Sequence, residues 1–238
     1  MGFIDLLPMN LRISILYYRS FKISKSKKAS VKEKIDKIYG LEKVLKGKSG
    51  FDIKKVGREQ AIATSIGRVD MAKIFNSLSS PDDALRYLSE IDTFLLNYIK
   101  GEPTYETQSS IDRIFNKVEM DIPYDNSKKQ TVFETLVLTL LYRCIAYSLR
   151  NEMECCKQLA KQINNIILNQ IEMNPANKRL DDLYKYSVDK TYEVFINIGK
   201  SNPANRRIAR DICLELLFAF DKNDPGNDFI QEYIQKLV

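Results

Sequence analysis

NSKKQTVFETLVLTLLYRCIAYSLR (126–150), followed directly by NEMECCKQLAKQINNIILNQIEM (151–173), decides the fold class, and neither Gly nor Pro interrupts it. In the first half Val132, Phe133, Leu136, Val137, Leu138, Leu140, Leu141, Ile145 and Leu149 cover nearly the whole circumference of a helix. That pattern predicts a central, buried helix from an Asn126 cap through about Arg150. In the second half Cys156, Leu159, Ala160, Ile163, Ile166, Ile167 and Ile171 keep to one side, predicting an amphipathic helix over about 152–173. So short a join between them predicts an antiparallel hairpin.

Downstream, Asn174-Pro175-Ala176-Asn177-Lys178-Arg179 recurs 28 residues later as Asn202-Pro203-Ala204-Asn205-Arg206-Arg207. Each Asn-Pro reads as a cap and first helical residue, and the stripes that follow stay in register: Leu180, Tyr184, Val188 and Thr191 against Ile208, Ile212, Leu216 and Ala219. Two copies fall short of the three units a solenoid needs. A last helix is expected over Phe229–Leu237.

Upstream, Ser80-Pro81-Asp82-Asp83 offers an N-cap serine, a proline at the first helical position and two acids for the helix dipole, opening a helix expected to reach Lys100. A shorter helix is expected over about 109–120, and another over about Arg58–Leu78 with a break at Gly67. Ser30 with Glu33 forms a capping-box signature for a helix ending at Gly47, with Val31, Ile35, Ile38, Leu41 and Leu45 as its apolar stripe. Residues 9–23 fit two readings: Leu11 to Ile15 alternates like a short strand, and the run through Phe21 fits a helix equally well. The expected class is all-α, a multi-helix bundle or short helical array.

Charge divides the chain unevenly. Residues 1–58 hold 15 of the 37 Lys+Arg and only five acids, a balance of +10, whereas the other 180 residues hold 22 bases against 26 acids, a balance of −4. The organisation read from this is a basic N-terminal region, 1–58, and a helical bundle, 59–238, most regular over 123–238. A basic block of this size attracts polyanions.

Histidine is absent, which removes the usual general base near neutral pH and the commonest metal ligand. Ser-His-Asp and Cys-His catalysis and His-ligated zinc are thereby excluded, and no enzyme activity, metal or cofactor is expected. The cysteines, at 144, 155, 156 and 213, form no CxxC pair, and Cys144, Cys156 and Cys213 sit within apolar helical patterns. They read as buried thiols, with a reducing, cytoplasmic or similar intracellular setting expected. No secretory leader is read at the N-terminus, and the uncharged run Thr135–Tyr142 is too short to span a bilayer.

The candidate site is therefore basic. Lys22, Lys25, Lys27, Lys28, Lys32, Lys54, Lys55 and Arg58 suit phosphate contacts, and Tyr17-Tyr18-Arg19-Ser20-Phe21-Lys22 interleaves rings with charges as a stacking surface for bases requires. Residues 58–78 also fit a helix-turn-helix loosely, with Gly67 at the turn and Arg68, Asp70, Lys73 and Asn76 facing a groove, but Lys73 falls where that motif buries an apolar side chain. Asp221, Asn223, Gly226 and Glu232 have calcium-loop spacing; Pro225 at a ligand position and Asp228 at a buried aliphatic one favour a plain turn. The expected function is non-enzymatic: a nucleic-acid-associated protein holding phosphates on its N-terminal quarter, with the C-terminal helices binding a protein partner or a second copy. Two alternatives stand beside it, a pure interaction scaffold, and a peripheral membrane protein inserting residues 1–23 above its lysines.

Overall fold

The structure is a computed structural model that describes residues 3–47, 51, 58–91, 95, 127–173, 175–205 and 207. Among them are seven α-helices and no strand: α1 Met9–Ser24, α2 Val31–Lys46, α3 Arg58–Ser77, α4 Pro81–Leu88, α5 Ser127–Leu149, α6 Met153–Met173 and α7 Lys178–Ser201. The protein is all-α. Its chain divides into two compact units, Met1–Thr139 and Leu140–Val238, with the division falling inside α5.

In the first unit α1 packs on α2 and α3, and α3 packs on α4. The step in charge near residue 58 is therefore a change of composition inside one packed unit. The ambiguous N-terminal run is helix: Met9, Ile13, Leu16 and Ser20 are buried at helical spacing, and Arg12 lies buried among them. That arginine within the inward face is what blurred the periodicity. Pro8 stands just before the first helical turn, where its missing N–H costs nothing.

The capping box at Ser30 is present in full. Glu33 N donates to Ser30 Oγ at 3.3 Å and Ser30 N donates to Glu33 Oε2 at 2.7 Å. The bond from Ser30 N, with a second to the same oxygen from Ser30 Oγ at 3.0 Å, holds the Glu33 carboxyl below its usual range. Gly47 closes α2 at φ 60, a left-handed conformation that costs glycine nothing.

Three expectations in this unit need correction. α3 runs unbroken through Gly67, so the helix-turn-helix reading fails; Asn76 is buried while Lys73 is exposed, and the four residues proposed for a groove do not share a face. The glycine has a packing reason instead, because a Cβ there would lie 2.8 Å from Ile13 Cγ2 of α1. The helix opened by Pro81 ends at Leu88, and Ser89 and Glu90 form a turn. Ser80, at the N-cap, turns its hydroxyl to Asp83 Oδ2 at 2.6 Å and makes no bond to a backbone N–H.

α5 is buried nearly all round, as its sequence requires: Val132, Phe133, Leu136, Val137, Leu140, Leu141 and Ile145 are all in the core. Thr135 and Thr139 remain compatible with burial by donating to the carbonyls of Thr131 and Thr135, at 2.6 and 2.7 Å. By length and composition Thr131–Leu149 would reach across a membrane, with mean hydropathy 1.5, although its uncharged run is short. Since 72% of the window is buried inside the protein, packing accounts for its apolarity.

In the second unit α5 hands over to α6 through a tight turn. Asn151 adopts φ 60, Asn151 N donates to Ser148 O at 3.0 Å and Glu152 N to Tyr147 O at 2.9 Å, a Schellman closure. The two helices then meet at Cys144 and Cys156, each thiol donating to the other residue's carbonyl at 3.4 Å. The bond to Cys156, with burial, pushes the Cys144 thiol well up. Both are free thiols in the core, as expected. α6 packs on α7, whose predicted stripe Leu180, Tyr184, Val188 and Thr191 is buried throughout. Its cap differs from the expected one: Asn177, not the Asn-Pro pair, accepts from Arg179 N at 3.1 Å, and Pro175-Ala176 is a turn. In the second copy Asn202 accepts from Ala204 N at 3.1 Å and Pro203–Asn205 is a 3-10 turn. The helices expected over 109–120 and 229–237, the Asn126 cap, Cys213 and the candidate calcium loop lie outside the described residues.

Candidate nucleic-acid interface

The corner where α1 turns into α2 collects the basic residues. Lys22 lies in the last turn of α1, Lys25 is its C-cap, Lys27 and Lys28 occupy the turn, and Lys32 lies in the first turn of α2. All five are exposed, and none forms an ion pair with another described residue. The segment folds this way because α1 carries a cation in its last turn, where the helix dipole welcomes one, and the Ser30 box starts α2 two residues after Lys28.

Beside these lysines the outer face of α1 shows aromatic rings. Tyr18 is 58% and Phe21 43% exposed, large values for rings of this size. Lys22 Nζ stands 4.4 Å from the Tyr18 ring centroid, Lys25 Nζ 5.5 Å from that of Phe21, and the Tyr17 ring lies 6.2 Å from Phe21. Around the side of α1 a groove of about 530 Å³ opens towards α2, walled by Ile23, Leu41 and Val44 and rimmed by Arg19, Lys22 and Lys37.

The interior junction behind this surface fixes where α2 stands. Glu42, 4% exposed, takes both terminal nitrogens of Arg86 at 2.9 and 2.8 Å and Lys46 Nζ at 2.7 Å. Burial would raise the Glu42 carboxyl, but the hydrogen bonds from Arg86 and Lys46 outweigh it and hold the group below its usual range. Tyr39 donates to Asp83; burial first, then this bond, pushes its phenol up to about 12. Arg12 of α1 donates to the carbonyls of Leu45 and Lys46 at 3.4 and 2.7 Å. Arg68 of α3 repeats the device on α4: Nε donates to Tyr87 O at 2.9 Å, and Nη2 to Arg86 O at 3.2 Å and Glu90 Oε2 at 3.0 Å. Each arginine satisfies carbonyls that a helix C-terminus leaves open, at the negative end of its dipole. A polar cleft of about 280 Å³ lies here, lined by Glu42, Lys46, Arg68, Arg86 and Glu90, whose charges already meet one another.

Of the nine residues expected to contact nucleic acid, five gather at the corner: Lys22, Lys25, Lys27, Lys28 and Lys32. Arg68 is corrected, since it is 5% exposed and caps α4 from the interior. Lys54 and Lys55 lie outside the described residues, as does the side chain of Arg58. Sequence reasoning missed the groove. Its signal was Val44, an apolar residue off the inward stripe of α2 and 59% exposed. No family model, curated protein or solved structure matches the chain.

Proposed function

We propose that this is a non-enzymatic, nucleic-acid-associated helical protein that holds phosphates at the α1–α2 corner, with its C-terminal helices serving protein interaction. The observation that carries the reading is the meeting of five exposed lysines, none of them in an ion pair with another described residue, at one corner of a packed unit. Phosphate binding needs cations in number and freedom more than fixed geometry, and such binding weakens steeply with salt. Replacing Lys25, Lys27 and Lys28 by glutamine should weaken nucleic-acid binding and lower the log–log salt slope by roughly 0.7–0.9 for each phosphate left without its lysine. Folding should barely change, because exposed lysines contribute little to it. A wild-type protein that binds no nucleic acid in low salt would remove this reading and leave the interaction scaffold in its place.

The exposed Leu11, Tyr18 and Phe21 favour a second reading, an anionic membrane surface beneath the same lysines. Among the described residues, the outer face of α1 is the part of it exposed for such a contact. Inserting residues 1–23 as a whole would pull Met9, Ile13 and Leu16 out of the core.

A further inference from the structure

We infer that the polyanion this surface takes is single-stranded nucleic acid, its bases lying on Tyr18 and Phe21 and in the adjoining groove; the inference rests on the phosphate-binding reading above. Lysines alone do not distinguish one strand from two, since both present phosphate. The rings and the groove do. A duplex hides its base faces, so exposed rings among the lysines gain nothing from it, whereas a single strand offers a base face with every phosphate.

The arrangement on α1 also separates this ligand from a lipid surface. At 3.6 residues per turn, Leu11, Tyr18, Phe21, Lys22 and Lys25 all fall within an arc of about 100°. A helix lying in a bilayer interface keeps its cations to the flanks, so that the apolar arc sinks below the headgroups. Here Lys25 sits between Phe21 and Tyr18 around the helix, and burying the rings would drag an ammonium down with them. Cation and ring placed side by side, Lys22 with Tyr18 and Lys25 with Phe21, match a ligand that alternates charge and planar face. Lys22 also stands on the rim of the groove, so the two surfaces are continuous.

Gly40 makes the groove testable. A Cβ placed there meets nothing within 4 Å, so a larger side chain projects into open space without disturbing the fold. Binding of a fluorescent oligo(dT) and of an equal-length duplex should be compared in one low-salt buffer, using the full chain. The wild type should prefer the single strand. Tyr18→Ala should weaken that binding roughly 5- to 140-fold, the range for losing one base stack. Phe21→Ala and Gly40→Leu should weaken it too, whereas Gly40→Ala should not; duplex binding should hold in every variant, and the melting temperature should hold in the ring variants and rise slightly in the two Gly40 variants through helix propensity. Equal affinity for both forms, or equal losses on both, overturns the single-strand inference and leaves the phosphate reading standing. Binding to neither form overturns both. Binding only to phosphatidylserine vesicles, abolished in Tyr18→Ala, overturns both in favour of the membrane surface.

Discussion

The two units bury polar groups in different ways. The first takes whole charges inside: Arg12, Glu42 and Arg68 are each 5% exposed or less, and each ties one helix to another. Around α5–α7, Ser148, Ser187 and Thr191 return their hydroxyls to carbonyls of their own helices. Among the described residues, ties between those helices include a thiol–carbonyl pair and the Tyr142–Tyr186 hydroxyl contact at 2.6 Å. Directed ionic bonds thus locate helices in the first unit, whereas the described contacts of the second, which buries Arg143 as well, are hydroxyl and thiol contacts on an apolar core. Removing a buried charge's partner is costly, whereas a side chain bonded to its own helix adds little beyond tolerance of burial.

Three experiments test that contrast. Leu140→Ala, in the all-round apolar part of α5, should cost roughly 2–5 kcal/mol in urea unfolding, with no dependence on pH between about 4 and 8. A destabilisation well under about 1 kcal/mol would mean that packing does not carry this region.

Glu42→Gln should come next, at roughly 1.5–3 kcal/mol, because it removes the carboxylate's charge-assisted hydrogen bonds to Arg86 and Lys46, both of which stay partly solvated. Here pH matters. A carboxyl held low in the folded state contributes stability that is complete above its ordinary value of 4.5 and is lost as pH falls through the folded one. The hydrogen-exchange protection of α2 and α4, taken relative to the intrinsic rate at each pH, should therefore fall below that pH in the wild type and much less so in the variant. Identical acid profiles would show that the ionic junction does not hold these helices.

Gly67→Ala should be smallest. The Cβ–Ile13 clash costs roughly 1–3 kcal/mol, and the gain in helix propensity returns about 1. Combining it with Ile13→Ala should give less than the sum of the two single effects, and strict additivity would place the fault elsewhere than this crossing.

What was legible in the sequence follows the same contrast. Where apolar residues decide, as in α5, the Cys156–Ile167 face of α6 and the stripe of α7, the pattern named the buried side chains. The Ser30–Glu33 box was legible because it is local, three residues apart. Arg12, Arg68 and Glu42 were not, since a charged residue reads as surface until its partners are known, and those partners, Lys46 of Glu42 aside, lie 18 to 44 residues away. Gly67 read as a break because a sequence does not show that Ile13 needs its space. The lysines of the corner were legible as exposed, for ammonium groups seldom leave water. The groove was not, because it exists only where two helices meet.

An apolar stripe tells a helix which side to turn inward and says nothing about which end goes up. Turned end for end, α4 would still offer Ala84, Tyr87 and Leu88 to the interior. Arg68 would then face the N-terminal turn, where the open backbone groups are donors and the dipole is positive, and its guanidinium would lose the Arg86 and Tyr87 carbonyls that now accept from it. Arg12 sets the same condition on α2, whose Leu45 and Lys46 carbonyls exist at one end only. These two side chains give the helices a direction as well as a face, and so discriminate between threadings of the chain that an apolar core alone would accept.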